Sequence, residues 1–285
     1  MLALTSLLSG SVHGIHPSRQ QHHQPGAEVP TVPSLGADAE LAARSREVIR
    51  GIMTVVCDTP SYRHKAAQDS KGSSAALTLL KKMRKGKQQL GDFADEHGLW
   101  GYVKSIFAKR SFKVCAAFVD LLRCDGEDPQ LGGRFAATLL GGAGGSGEGR
   151  LRVASLGGGP GNCLVGFTVF ERLLLSPGGC HTGAATAPSA PPSDAPQTAL
   201  PPPPAAARLH VFDYAKEWRP IVERVSLGLG EGVVFGRCDL TQHLDHGDND
   251  KTVLPVAASL DLVMFVFALH EADHTKVRVT NPLWA

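Results

Sequence analysis

The chain has 285 residues, and its 29 Lys and Arg against 27 Asp and Glu leave almost no net charge. This balance produces no global field that would indicate a nucleic-acid or membrane-surface protein. The sequence also contains no run of about 18 apolar residues that would predict a transmembrane helix. Six cysteines without a CxxC pair argue against a zinc knuckle or a disulfide-stapled mini-domain. They predict reduced thiols in an intracellular compartment, the cytoplasm or nucleus.

The first part of the chain divides into a tail and a helical region. Residues 1–37 are rich in His, Gln, Ser, Gly and Pro without a sustained period, which predicts a disordered tail. A short apolar run at the start leaves organelle targeting open as an alternative. From Asp38 onward, apolar residues recur at helical spacing, and residues 38–140 are predicted to form a helical N-terminal region. The first predicted helix begins near Asp38, and three further helices are predicted over residues 74–83, 93–107 and 112–122.

Two low-complexity segments interrupt the remainder. Residues 141–149 contain six glycines, and residues 176–207 contain nine of the nineteen prolines but no Lys or Arg. Such composition cannot form a packed core. The segment 176–207 is therefore predicted to be a disordered insertion.

Residues 150–285 alternate strand and helix patterns around these segments. The predicted strands are Leu151–Leu156, Leu209–Phe212, Val233–Gly236 and Leu260–Phe267, and the predicted helices cover 162–175 and 216–227. Continuous apolar strands that alternate with helices predict an α/β, Rossmann-like fold with a doubly wound, mostly parallel sheet of about four strands.

A glycine-rich turn follows the first of these strands, in the sequence RVASLGGGPGNCLVG. A P-loop would require Lys where Phe167 stands, and the dinucleotide pattern GxGxxG fails at Asn162. The remaining pattern is G-x-G-x-G, formed by Gly157, Gly159 and Gly161.

This spacing resembles motif I of the class I S-adenosylmethionine-dependent methyltransferases, and the resemblance covers roughly residues 151–273. It implies a Rossmann-like sheet with strand order 3-2-1-4. It also implies that the turn lies against the methionine part of the cofactor, where a Cβ would clash. The N-terminus of the following helix would then offer free N–H groups to polar cofactor atoms.

The resemblance assigns roles to two carboxylates at strand ends. Asp213 follows the second predicted strand, where the family binds both ribose hydroxyls, and a carboxylate has enough acceptor positions for a diol. Asp213 lies 52 residues after Gly161, but only 20 once the 32-residue insertion is left out, which is near the roughly 20-residue offset of a nucleotide-binding βαβ unit. Asp239 follows the third strand, where the family places an acidic side chain near the adenine.

The sequence departs from the family in two respects. Ser155 stands where an acidic residue usually precedes the first glycine. The chain also reaches Ala285 soon after the fourth strand, whereas the family continues for three more strands, so the resemblance implies a C-terminally truncated or divergent member. The fourth strand, Leu260–Phe267, would then form an exposed, apolar sheet edge that invites self-association.

No catalytic residue is assigned, because methyl transfer depends on positioning more than on side-chain chemistry. His270 and Glu271 could serve as a base or a substrate contact, but a structural role is the simpler interpretation. The loop 243–248 contains His and Asp, but its spacing matches no metal site.

The residues support three functions. The first is an S-adenosylmethionine-dependent methyltransferase whose acceptor is an RNA or a small molecule. The alternative is a non-catalytic, truncated Rossmann-like module that binds RNA or a protein partner through its basic N-terminal helices. A nucleotide-dependent oxidoreductase is disfavoured by Asn162. Residues 61–113 hold twelve Lys and Arg against four Asp and Glu, and the expected RNA contacts are Lys81, Lys82, Arg84, Lys85 and Lys87.

Overall fold

A computed structural model describes residues 2–4, 35–59, 62, 77–82, 90–128, 133–141, 150–175, 207–240 and 242–266. Its centre is a parallel sheet of five strands in the order β1-β5-β2-β3-β4. The strands are β1 (Leu2–Leu4), β2 (Val153–Leu156), β3 (Leu209–Asp213), β4 (Val233–Arg237) and β5 (Leu262–Met264). Strands β2 to β5 are the four predicted strands, so the Rossmann-like α/β class and the order 3-2-1-4 are confirmed.

Strand β1 corrects two expectations about the sheet edge and the tail. Leu2 pairs with Leu262 and Leu4 pairs with Met264, so β1 covers the edge of β5 that was expected to be exposed. The disordered tail predicted over 1–37 is wrong for residues 2–4, and also for residues 35–37, which begin the first helix. A three-residue strand is too short to produce a recognisable period. Residues 5–34 lie outside the described residues.

Eight α-helices have defined bounds among the described residues. They are α1 (Leu35–Cys57), α2 (Glu96–Tyr102), α3 (Ala108–Glu127), α4 (Arg134–Gly141), α5 (Asn162–Phe170), α6 (Arg219–Leu229), α7 (Gly247–Thr252) and α8 (Leu254–Ala257). Residues 77–82 are also helical, as expected. Two 3-10 turns, Leu90–Phe93 and Lys216–Trp218, and two π-helical turns, Val103–Phe107 and Glu171–Leu175, also lie among the described residues.

Helices α2 and α3 form one continuous helical stretch instead of the two predicted helices. The π-helical turn Val103–Phe107 joins them without a break. The predicted interruption between residues 107 and 112 is wrong, because Ala108-Lys109-Arg110-Ser111 contains no Gly or Pro to end a helix.

The two faces of the sheet are covered unequally. One face, with Val153, Val211 and Met264, shares a large core with α1, α3, α5 and α6, so the N-terminal helices belong to the same core as the sheet. The opposite face buries a smaller cluster that includes Phe212, Val253 and Val263. Because neighbouring strand residues point to opposite faces, this division follows directly from the strand pattern.

Helix α5 is buried along its whole length, between the sheet and α3. A helix that is apolar all round must be covered on every side. The closest approach is at Gly166, where a Cβ would lie 2.4 Å from the carbonyl oxygen of Ser111 and 2.7 Å from Cβ of Val114. The missing side chain therefore sets the distance between α5 and α3.

A network of ion pairs lies at the amino ends of the strands, on the side of the sheet away from the glycine turn. Glu171 accepts hydrogen bonds from Arg150 and Arg208. Glu231 accepts from the same two arginines and from Arg172, and all five distances lie between 2.5 and 3.1 Å. Burial alone would raise the pKa of Glu231, but these arginines outweigh it and hold its pKa below the usual value. The network joins the π-helical turn after α5 to the residue before β3, and so connects the described residues on the two sides of the predicted insertion.

The last residue of the predicted insertion, Ala207, lies within the described residues. Its carbonyl oxygen lies 2.9 Å from Nε2 of His210 in β3. Residues 176–206 lie outside the described residues.

We expect Gly166→Ala to lower the free energy of unfolding by about 1–3 kcal/mol, because the new methyl group meets rigid backbone of α3. Gly51→Ala is the matched control: Gly51 is a helical glycine of α1 with no atom within 4 Å of an added Cβ. This change should raise the free energy of unfolding by up to about 1 kcal/mol. Urea unfolding measures both, and equal effects of the two changes would contradict the close-packing argument.

Candidate functional site

The glycine turn connects β2 to α5 at the carboxyl end of the sheet. Gly157, Gly159 and Gly161 all have positive φ, at 63°, 52° and 88°. Residues with a side chain rarely adopt this conformation, so the three glycines of the G-x-G-x-G pattern are required by the backbone itself. A Cβ on Gly159 would point toward the indole of Trp218, 3.8 Å from its Cε2 atom.

Asp213 ties the glycine turn to the end of β3. Its Oδ2 accepts from the backbone N–H of Gly159 at 2.8 Å, and its Oδ1 accepts from the backbone N–H of Ala215 at 3.0 Å. The structure therefore brings together two of the residues that the sequence singles out, although 54 positions separate them. A carboxylate has about four acceptor positions, so these backbone bonds, together with one from Tyr214, do not use them all.

Burial of Asp213 changes its ionisation. The residue is only 6% exposed, and burial raises its pKa to about 6, with a further upward contribution from Glu217. The backbone N–H groups of Ala215, Gly159 and Tyr214 oppose this rise without cancelling it. Asp213 is thus a carboxyl group that changes charge near neutral pH.

A cleft lies between the glycine turn and the N-terminal helices, and we call it the glycine cleft. It is lined by Phe93, Tyr102, Arg110, Gly157, Gly158, Gly159, Asn162, Cys163, Asp213, Tyr214, Trp218 and Val266. Ligands of open α/β sheets bind at the carboxyl ends of the strands, which is where this cleft is found.

Aromatic rings fill much of the glycine cleft. The ring centres of Phe93 and Tyr214 are 5.3 Å apart, those of Phe93 and Trp218 are 5.9 Å apart, and those of Tyr102 and Trp218 are 5.3 Å apart. The empty space is about 390 Å³ when the part open to solvent is counted. Because the rings contact one another beside the glycine turn, a nucleoside-sized ligand would have to displace some of these side chains.

Arg110 forms the cationic wall of the glycine cleft. Its guanidinium donates a hydrogen bond to Oη of Tyr102, and its Cζ atom lies 5.4 Å from the centre of the Tyr102 ring. Cys163, in the first turn of α5, lies on the same side. Burial raises the pKa of the Cys163 thiol to about 11, and the positive charge of Arg110 opposes this rise. The thiol is consequently protonated at neutral pH.

Gly161 and Asp239 are not among the residues that line the cleft. Gly161 precedes α5, and Asp239 follows β4 in a loop organised by the buried side chain of Asn249. The amide of Asn249 accepts from the N–H of Asp239 and donates to the carbonyl oxygens of Asp239, Gln242 and His243. The carboxylate of Asp239 accepts from Gln242 at 3.1 Å. The adenine contact expected of Asp239 stays a prediction.

The other predicted site residues lie partly outside the described residues. Lys81 is exposed, and Lys82 forms an ion pair with Asp92. Arg84, Lys85 and Lys87 lie outside, as do His270 and Glu271. Among the described residues, no group of three or more His, Cys, Asp or Glu side chains could hold a metal ion, and no helix is both long and apolar enough to span a membrane.

Four of the residues that line the cleft are not assigned to a site by the sequence: Phe93, Tyr102, Arg110 and Trp218. Phe93 and Trp218 fall within predicted helices, and Arg110 falls within the basic segment 61–113. The concentration of aromatic residues around 93–107 was the available signal. Nothing in the sequence indicated that this segment lies against a turn some 50 residues later in the chain.

A second hollow lies between α1 and α3, with apolar residues such as Leu41, Phe112 and Val119 along its walls and about 460 Å³ of empty space when the open part is counted. Its polar groups are Ser45, Asp120 and Arg123. It contains no glycine turn and no strand end, so the glycine cleft is the better candidate for a nucleoside site.

Comparison with protein-family models, with curated protein sequences and with solved structures yields no match for this chain.

The pH dependence of stability should report the buried carboxyl of Asp213. Its pKa is about 6 in the folded protein and about 3.9 in an unfolded chain, so the folded state binds its proton more tightly. Relative to Asp213→Asn, the wild type should therefore gain about 2 kcal/mol of unfolding free energy as the pH falls from 7 to 4. Urea unfolding at several pH values measures this difference. A loss of unfolding free energy over this pH range, relative to Asp213→Asn, would mean that the backbone N–H groups lower the pKa of Asp213 more than burial raises it.

Proposed function

We propose that this protein binds S-adenosylmethionine in the glycine cleft and is a methyltransferase whose acceptor is an RNA or a small molecule. The observation that carries the proposal is the hydrogen bond between Asp213 and Gly159, which joins a carboxylate at a strand end to a turn of three positive-φ glycines. This juxtaposition is what the resemblance to the class I methyltransferases requires.

The residues of the glycine cleft suit the chemical groups of this cofactor. Asp213 would accept the ribose hydroxyls with its remaining acceptor positions. The turn around Gly159 presents backbone without a side chain, and a Cβ there would extend into the cleft. Asn162 and Cys163 begin α5, whose first N–H groups have no partner within the helix and are available to polar atoms.

The chain itself would contribute positioning and exclusion of water. When bound, S-adenosylmethionine supplies a methyl group on a sulfonium, which is a good leaving group. The buried rings of Phe93, Tyr102 and Trp218 would keep water out of the cleft, and the rigid glycine turn would hold the reacting groups in line. Such positioning supplies about 7–11 kcal/mol in well-oriented reactions.

The aromatic side chains that occupy much of the glycine cleft favour a second candidate function. With aromatic rings in contact beside the glycine turn, the fold could serve as a non-catalytic module. The exposed lysines Lys109 and Lys113 lie on α3, and they would be available to RNA phosphates. Under this alternative the protein binds RNA with strong salt dependence and binds no nucleoside cofactor.

Isothermal titration calorimetry separates these functions. We expect the wild type to bind S-adenosylmethionine and S-adenosylhomocysteine but not NADH. Asp213→Ala should weaken binding by about 10- to 100-fold, because the hydroxyls lose a charged acceptor. Asp245→Ala removes a carboxylate from the exposed loop after β4 and should have no effect.

The outcomes of this titration are distinct. Equal affinity of the wild type and Asp213→Ala would remove Asp213 from the site, and binding of NADH alone would contradict the methyltransferase proposal. Absence of all nucleoside binding, together with salt-sensitive RNA binding, would favour the non-catalytic module. Transfer of labelled methyl groups to total RNA or to a small-molecule extract would identify the acceptor class.

Intrinsic fluorescence should report displacement of the aromatic rings. Trp218 packs against the glycine turn, whereas Trp100 contacts Tyr62 and does not line the cleft. We expect S-adenosylhomocysteine to change the emission of the wild type and of Trp100→Phe, but not of Trp218→Phe. A change that persists in Trp218→Phe and disappears in Trp100→Phe would place the ligand elsewhere.

A further inference from the structure

We propose that Phe93 closes the glycine cleft, and that the turn Leu90–Phe93 must move away before a nucleoside can reach the glycine turn. The contact makes the protein autoinhibited, because the ring of Phe93 and the ligand compete for the same space. The inference concerns the regulation of the glycine cleft and therefore rests on the proposed function.

The ring of Phe93 contacts the neighbours of both partners in the Asp213–Gly159 hydrogen bond. Its centre lies 5.3 Å from that of Tyr214, which directly follows Asp213, and 5.9 Å from that of Trp218. Trp218 is in turn the side chain that an added Cβ on Gly159 would meet. A nucleoside that binds Asp213 and lies along the glycine turn would therefore need the space that Phe93 occupies.

Phe93 is a buried side chain on an otherwise exposed segment. The side chain is 2% exposed, whereas Gly91, Ala94 and Asp95 are all exposed. A Cβ added to Gly91 would have no atom within 4 Å. Among the residues of the turn whose side chains the structure describes, Phe93 is the only buried one, so movement of the turn withdraws one ring from the core.

The interactions that hold the turn in place are local. The carbonyl oxygen of Gly91 accepts from the N–H of Ala94 at 3.2 Å, which closes the turn within itself. Asp92 forms an ion pair with Lys82 of the helical residues 77–82, and the side chain of Lys82 is 44% exposed. An ion pair open to water stabilises little. Segments with few buried contacts open at a low free-energy cost, without unfolding of the core.

Two other rings of the glycine cleft are attached more firmly. Tyr102 lies inside the continuous helical stretch that α2 and α3 form. Trp218 follows Ala215, whose N–H donates to Asp213 at the end of β3. Movement of either ring would disturb a long helix or the end of a central strand, whereas movement of Phe93 disturbs neither.

Truncation of the Phe93 ring should open the cleft. The apparent dissociation constant rises as the fraction of molecules in the open form falls, so we expect Phe93→Ala to bind S-adenosylhomocysteine about tenfold more tightly than the wild type. Phe93→Leu should lie between them, because leucine keeps part of the volume. Phe112→Ala is the matched control: it removes a partly buried ring of α3 that does not line the cleft, and should leave the affinity unchanged. Isothermal titration calorimetry measures all four proteins.

Hydrogen exchange tests the movement in the unaltered protein, and does not depend on how well Phe93→Ala folds. We expect S-adenosylhomocysteine to speed the exchange of backbone amides in residues 90–95 and to slow it in residues 157–161. Unchanged or slower exchange in residues 90–95 would mean that the turn stays in place or closes over the ligand, and would overturn the autoinhibitory contact.

The results of the titration separate this inference from the proposed function. If the wild type binds and Phe93→Ala binds equally or more weakly, the role of Phe93 is wrong and the proposed function stands. Binding by Phe93→Ala alone would show a closed form that the ligand cannot displace, and would support the autoinhibitory contact. If none of the proteins binds S-adenosylhomocysteine, the proposed function fails and this inference fails with it.

Discussion

Complete burial of helix α5 is the constraint on which the rest of the structure depends. The segment Asn162–Phe170 has no polar face to turn toward water, so the sheet can cover only one of its sides. Helix α3 covers the other, at a distance that Gly166 makes small. The N-terminal helices are consequently part of the same core as the sheet, and the segment preceding α3 is brought over the glycine turn. One wall of the glycine cleft is therefore a consequence of the packing of the N-terminal helices against the apolar helix α5.

The same packing explains the electrostatic character of the site. Asp213 lies in surroundings that exclude water, which makes its charge costly. Backbone N–H groups from the glycine turn and from the residues after β3 offset only part of that cost. The pKa of Asp213 therefore stays raised, near 6, and an additional hydrogen-bond donor would lower it.

Sequence patterns predicted the sheet better than they predicted the site. Strands β2 to β5 are continuous apolar segments bounded by turns, and parallel pairing follows from their alternation with helices. Asp213 and the glycines could be singled out from the sequence because they follow the residue spacing of a single strand–turn–helix unit. Arg110 and Tyr102 could not, because their position in the glycine cleft depends on a π-helical turn and on long-range packing, and neither produces a short-range period. The continuity of α2 and α3 was missed because the apolar positions shift in phase at that turn. The proposed methyl transfer stays a prediction, since the fold alone is compatible with several functions.

The ion pairs at the amino ends of the strands have a consequence for how the chain can vary. Arg208 holds the first residues of β3 against Glu171, so side chains fix the described residues on either side of positions 176–206 in relation to each other. The crossover from α5 to β3 is thus anchored at both of its described ends by charge pairs, at the end of the sheet opposite the glycine cleft. We expect a fluorescent label or an affinity tag introduced between these two anchors to leave the glycine cleft undisturbed.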